Sequence, residues 1–197
     1  MPTGTTTRRP RGRRSGDATA VREALLAAAR SEFAERGYEA ASTRTILGEA
    51  GVTAPVLYHH FGNKAGLFEA VAEQVMDAVV GAFEDVAAPG AGLDANLDAL
   101  LAASAELQAR DPQLPRFIVA APVDLARHPE LAGAEAQMSR LRLFLEELCA
   151  QEREPKLAAR VALTLIYGLS RYAATLGPRE FASTVGAVRR HVLGGRS

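Results

Sequence analysis

The sequence holds one cysteine, Cys149, in 197 residues. No disulfide framework can form within one chain, and no cysteine-built zinc site is possible. That fits a reducing cytoplasm, with Cys149 as a small buried hydrophobe. Long apolar runs are missing as well. The longest uncharged apolar stretches, such as 117–123 and 161–169, are too short to cross a bilayer. The arginine-rich start lacks the hydrophobic segment of a secretory signal. Strand patterns are absent: β-branched runs are rare, and no alternating apolar and polar segment has useful length. Catalytic signatures are absent too. There is no phosphate loop ending in Lys-Ser/Thr, no His-Glu-x-x-His and no Gly-x-Ser-x-Gly. No nucleophile stands near a base at a suggestive spacing, so no enzyme and no cofactor are expected. His59 and His60 are adjacent and point in different directions on a helix, while His128 and His191 are isolated. No metal site is expected from them.

What is present is ordinary globular material. Hydrophobic residues make up 48% and charged residues 23%, which excludes wholesale disorder. A chain of this size buries about 70% of its unfolded surface and needs no disulfide or metal to fold. The net charge of zero hides a split. Residues 1–64 carry ten basic and six acidic side chains, and residues 65–197 carry thirteen and seventeen. A basic front half points to a polyanionic partner. The excess concentrates in Arg8, Arg9, Arg11, Arg13 and Arg14. Residues 1–16, almost without apolar side chains, read as a disordered basic arm. Such an arm is either a solvated tail or one that follows a DNA backbone or minor groove.

From residue 17 everything reads helical, and the fold class is all-α. Asp17 or Thr19 caps a first helix with Val21, Leu25, Ala28 and Phe33 inward, and Gly37 ends it. Ser42 caps a short helix to Ala50, Gly51 breaks it, and Thr53 caps a third over 54–60 with Pro55 in its first turn. Asn63 caps a long fourth helix to about Ala87, with Leu67, Val71, Val75, Val79 and Phe83 every four residues. Five more are expected: 94–110, a sixth to about 127 kinked at Pro122, 130–151, 155–176, and 179–193 before Gly194-Gly195. That makes about nine helices without internal repeat.

Two short helices joined by a tight turn and braced by a longer one form the helix-turn-helix pattern. Ile46, Val52, Leu57 and Phe61 hold the pair inward. Ala54, Pro55, Tyr58, His59 and His60 are left on or near the outer face, where Tyr and His reach phosphates or base edges. Lys64 opens the next helix, where its ammonium and the helix dipole both attract phosphate.

The segment from Ser42 to Lys64, with its Gly51-Val52-Thr53 turn, its Leu57-Tyr58-His59-His60-Phe61 run and its Asn63-Lys64 pair, resembles the DNA-binding signature of the TetR family of bacterial repressors. So does Phe33-Ala-Glu-Arg-Gly-Tyr38 upstream. The resemblance covers about residues 20–75. It implies that Tyr58 and Lys64 grip phosphates and that Ser42 and Thr53 cap helices while touching the DNA backbone. It places Arg44, beside Thr43, at a guanine-reading position, and Ala54, Pro55 and His60 at further base-reading ones. Leu47 stands where the family usually has alanine, and Gly48 lies inside the second helix, about 1 kcal/mol worse than alanine.

The resemblance further implies a head over 17–64 and a ligand-binding, dimerising helical bundle over 65–197. The bundle would dimerise through its last two helices, with Gly168 allowing close approach, and take a small apolar or amphipathic effector. Phe83, Arg116, Phe117, Met138, Tyr167 and Arg171 are its candidate lining, with an arginine to anchor an acidic group. The implied function is a homodimeric repressor on a near-palindromic double-stranded operator. The alternative is a protein of the same fold answering to a protein partner, or acting in chromosome organisation.

Overall fold

The structure, a computed structural model, describes residues 12–193. Much of the expected arginine arm, residues 1–11, lies outside the described residues, as does the Gly194-Gly195 end. Among the described residues there are ten α-helices and no strand. The first is α1 (Gly12–Ala40), followed by α2 (Thr43–Ala50) and α3 (Ala54–Phe61). Then come α4 (Lys64–Glu84), α5 (Leu93–Arg110) and α6 (Gln113–Arg127). A 3-10 turn, Pro129–Leu131, leads into α7 (Ala132–Met138) and α8 (Arg140–Leu148). The chain closes with α9 (Pro155–Ala173), α10 (Pro178–Val188) and a π turn, Arg189–Leu193. No helix among these residues is long and apolar enough to cross a membrane.

Helix α1 already runs at Gly12, ahead of the caps expected at Asp17 or Thr19. It does not end at Gly37 either. There the backbone takes φ 72 and ψ 174, angles open to glycine alone, and the chain kinks and makes one more turn to Ala40. Helix α6 runs unbroken through Pro122. The single helix expected over 130–151 is a 3-10 turn and two shorter helices. Leu131, Ala134, Met138, Leu141 and Leu145 are all buried, and their spacing of three and four continues through the break. Such a pattern conceals the interruption. It falls at Ser139, which keeps helical angles, so the chain changes hydrogen-bond pattern without reversing direction.

The core does not stop at residue 64. One cluster of buried side chains joins Leu25, Phe33, Ile46 and Leu57 to the α4 stripe of Leu67, Val71, Val75, Val79 and Phe83, and continues to Ile166. Truncating any such leucine to alanine costs about 2–5 kcal/mol. A smaller cluster, Leu101, Leu169, Ala173, Phe181 and Val185, fastens α10. Arg189 closes that end with two 2.6 Å hydrogen bonds to Asp98 on α5.

Candidate nucleic-acid interface

Helix α2 begins at Ser42, whose hydroxyl accepts the Thr45 N–H at 3.3 Å, as an N-cap does. The Ser42 N–H in turn donates to the buried Glu32 carboxylate at 2.9 Å, tying the start of α2 to α1. Ile46 is fully buried beneath α2. Gly51 closes the turn in the left-handed region at φ 66, its N–H reaching the Gly48 and Leu47 carbonyls. Leu47 is half-buried against the core, and Gly48 is exposed.

Thr53 occupies the N-cap position of α3, but its side chain makes no capping hydrogen bond. The bond is made by its carbonyl, which accepts the Val56 N–H at 3.0 Å. Leu57 is buried and Phe61 half-buried, so the opposite face looks outward. That face carries Pro55, the 54%-exposed Tyr58 and His59, with Ala54 and His60 half-buried at its edges. The rings of His59 and His60 meet edge to face, 5.4 Å between centroids. Arg44 is exposed and forms no ion pair among the described residues, and Thr43 is half-buried beside it. The α2–α3 unit thus presents one cationic, one phenolic and one imidazole side chain, all exposed, above an apolar underside. The hydrogen-bonding capacity fits phosphate oxygens and base edges.

Asn63 caps α4, its side-chain oxygen accepting the Gly66 N–H at 2.8 Å. Lys64 is less free than its position suggests. Its Nζ donates to the Glu39 carbonyl at 3.2 Å and sits 4.8 Å from the centre of the Tyr38 ring. Burial lowers its pKa, partly offset by Asp124, Glu32 and Glu39. Two of its three N–H donors remain for another acceptor.

The head meets the body where α1 packs on α6. The Tyr38 N–H donates to the buried Asp124 carboxylate at 2.9 Å, and Arg30 pairs with Asp111 at 2.7 Å. Asp124 went unseen in the sequence, because its partner is 86 positions away and nothing local marks it.

The expected effector residues do not converge. Phe83 lines an inner cavity of about 30 Å³ between α4, α5, α6, α9 and α10. Arg116 and Arg171 instead line an open groove between the end of α1, α6 and α9. Met138 and Tyr167 border a third recess near Pro122 and Leu163. Phe117 is fully buried, its ring tilted against that of Phe68 with centroids 5.2 Å apart.

A capped two-helix unit with a glycine turn, braced by a long helix and exposing polar side chains, defines a helix-turn-helix DNA-binding head on a helical body. The profile of "bacterial regulatory proteins, tetR family" matches residues 25–71. The repressor KstR2 of Rhodococcus jostii is 35% identical over 85 residues, 43% of this chain and 42% of that one. The transcriptional activator FasR of Mycolicibacterium smegmatis is 42% identical over 73 residues, 37% of this chain and 30% of its own. The matched segments span less than half of these relatives' length. Solved structures extend the likeness of fold. The fatty acid degradation regulator FadR from Bacillus halodurans superposes with a TM-score of 0.70 at 18% identity, covering 89% of this chain and 99% of its own. The regulator PfmR from Thermus thermophilus gives 0.67 at 22%, over 88% and 98%. Residues 25–71 thus carry the DNA-binding segment of the tetR family of bacterial regulatory proteins, and the whole chain shares its fold with solved regulators of that kind.

Proposed function

We propose that this chain is a homodimeric transcriptional repressor that leaves a near-palindromic operator when its bundle takes up a small apolar or amphipathic molecule. The observation that carries the reading is the outward face of α2 and α3. Arg44, Tyr58 and His59 stand exposed there on a scaffold whose inward residues, Ile46 and Leu57, are almost completely buried. Arg44 reads a base, with Ala54, Pro55 and His60 shaping the contact. Tyr58, Ser42, Thr43, Thr53 and Lys64 hold phosphates. Lys64 keeps its Glu39 contact and offers a remaining N–H to DNA.

The dimer is supported by α9. Leu157, Val161, Gly168 and Tyr172 lie four or seven positions apart and are all exposed, whereas Ala158, Ala162, Ile166 and Ala173 face inward. A second copy covering that face would set two recognition helices roughly 34–36 Å apart, one helical turn of DNA. The effector acts by binding two spacings of those helices unequally; equal affinity shifts nothing. Helix α4 starts in the head and lines the inner cavity at Val79 and Phe83. Helix α6 lines it at Leu114 and Ile118 and holds Tyr38 through Asp124. Both are rigid routes between cavity and head.

The test is a titration of purified protein against a duplex carrying its selected site, read by anisotropy and sedimentation. Two chains per duplex, with binding that weakens as salt rises, support the proposal. One chain per duplex contradicts it.

A further inference from the structure

The inner cavity has an unusual chemical signature. No charged side chain lines it. Phe83, Ile118, Ile166 and Phe181 are among its apolar lining residues, and Ser104, Gln108 and Ser170 are its polar members. Gln108 is 2% exposed, so its amide must find partners within the protein. Its Nε2 donates to the Ala173 carbonyl at 2.9 Å and lies 3.5 Å from that of Leu176, at the end of α9. Those contacts fix the amide's orientation, because exchanging oxygen for nitrogen would set oxygen against two carbonyls. Oε1 is then left buried with no hydrogen-bond partner. Ser104 donates its hydroxyl to the Leu100 carbonyl at 2.8 Å, so it too has only accepting capacity left. The Ser170 hydroxyl forms no hydrogen bond among the described residues and serves either way.

A buried acceptor without a donor is destabilising. An occupant that donates relieves it; one that only accepts does not. A carboxylate, with no donor and a charge to desolvate, meets the wrong end of the amide and no cation. A hydroxyl fits: it donates to Gln108 Oε1 and accepts from Ser170. At about 30 Å³ the cavity holds one water, so a larger occupant must part its walls.

We propose that the effector is an uncharged hydrophobe bearing a hydroxyl, an alcohol or phenol, whose O–H donates to Gln108 Oε1 in this cavity. The inference rests on the effector reading of the bundle and gives that site its chemistry. It departs from the expectation of an arginine anchor, since Arg116 and Arg171 open on a different groove.

The test compares three probes by calorimetry at about pH 8, where a carboxylate is ionised. They are octanol, octanoate, and heptyl methyl ether, which matches octanol in size but has no donor. Octanol is expected to bind about tenfold tighter than the ether, and octanoate not at all. In Gln108→Leu the preference for alcohol over ether falls to about one. The wild-type ranking stands as a test by itself should that variant fail to fold. Ether binding as well as alcohol, or octanoate binding best, overturns the inference. If octanoate binds best and also releases DNA, the effector reading survives and only this inference falls. If no probe binds, both fall.

Discussion

The backbone N–H of Tyr38, at the end of α1, donates to the carboxylate of Asp124, near the end of α6, and both residues are buried. This 2.9 Å bond is possible because Gly37 kinks the helix just before it. A Cβ at Gly37 would sit 3.2 Å from Asp124 Oδ1, within the positive-φ backbone that side chains avoid. Around the bond, the Tyr38 ring meets Phe68 and His128 edge to face. Burial, with Glu130 adding to it, raises the Tyr38 pKa. The DNA-binding head is therefore fixed to the body by a buried polar contact set in an aromatic cluster. Asp124→Ala leaves the Tyr38 N–H without a partner and is expected to cost about 1–3 kcal/mol. Urea unfolding checks it; an unchanged midpoint at an unchanged m-value contradicts it.

The proposed DNA contacts are of two kinds. Arg44→Ala is expected to relax preference at one operator position, worth about 1–3 kcal/mol of discrimination. Lys64→Met is expected to weaken all duplexes alike and to lower the salt slope by about one. Binding to a set of single-base operator variants at several salt concentrations distinguishes the two. Undiminished discrimination in Arg44→Ala removes its base-reading role.

The α5 ion pair gives a pH signature. Its hydrogen bond to Arg189 holds the Asp98 carboxyl below its ordinary pKa. A carboxylate with a depressed pKa contributes stability that is fully present above its unfolded value, near pH 4, and lost as pH falls through the lower folded one. Both partners are partly exposed, so the contribution is about 0.2–1 kcal/mol. Asp98→Asn should lower the melting temperature slightly at neutral pH, and the two curves should converge in strong acid. A difference that grows on acidification has the wrong sign.

The exposed face of α9 predicts its own disruption. Val161→Glu places a charge beside Leu157, on the face proposed to meet a second copy, and leaves Ala162 and Ile166 in the core untouched. The variant is expected to sediment as a folded monomer with native helicity and to lose operator binding. A dimer that persists relocates the interface.

The parts legible in the sequence are those whose physics is local. The caps at Ser42 and Asn63, the Gly51 turn and the α4 stripe each depend on residues within a few positions, and the structure has all of them. The Thr53 cap was legible in position but not in chemistry, since its carbonyl rather than its hydroxyl makes the bond. The break at Ser139 was hidden because the apolar spacing runs on through it. Gly66 gave no sign of its role, yet a Cβ there would overlap the Phe61 carbonyl where α3 abuts α4. The pocket was the least legible part. Helical periodicity identifies Phe83 and Phe117 as inward, but only the packing of α4, α6 and α9 decides that one faces a cavity and the other an aromatic cluster. Gln108 looks like a surface glutamine until α9 ends against it.

The most direct test of the account is selection of bound sequences from a random duplex pool by the purified protein, at physiological salt. The account predicts an enriched near-palindromic motif with half-sites centred about one helical turn apart, and one base position per half-site whose preference disappears in Arg44→Ala. Recovery of no motif, with binding that fades steeply as salt rises, would mean that backbone charge alone holds the DNA, and would contradict it.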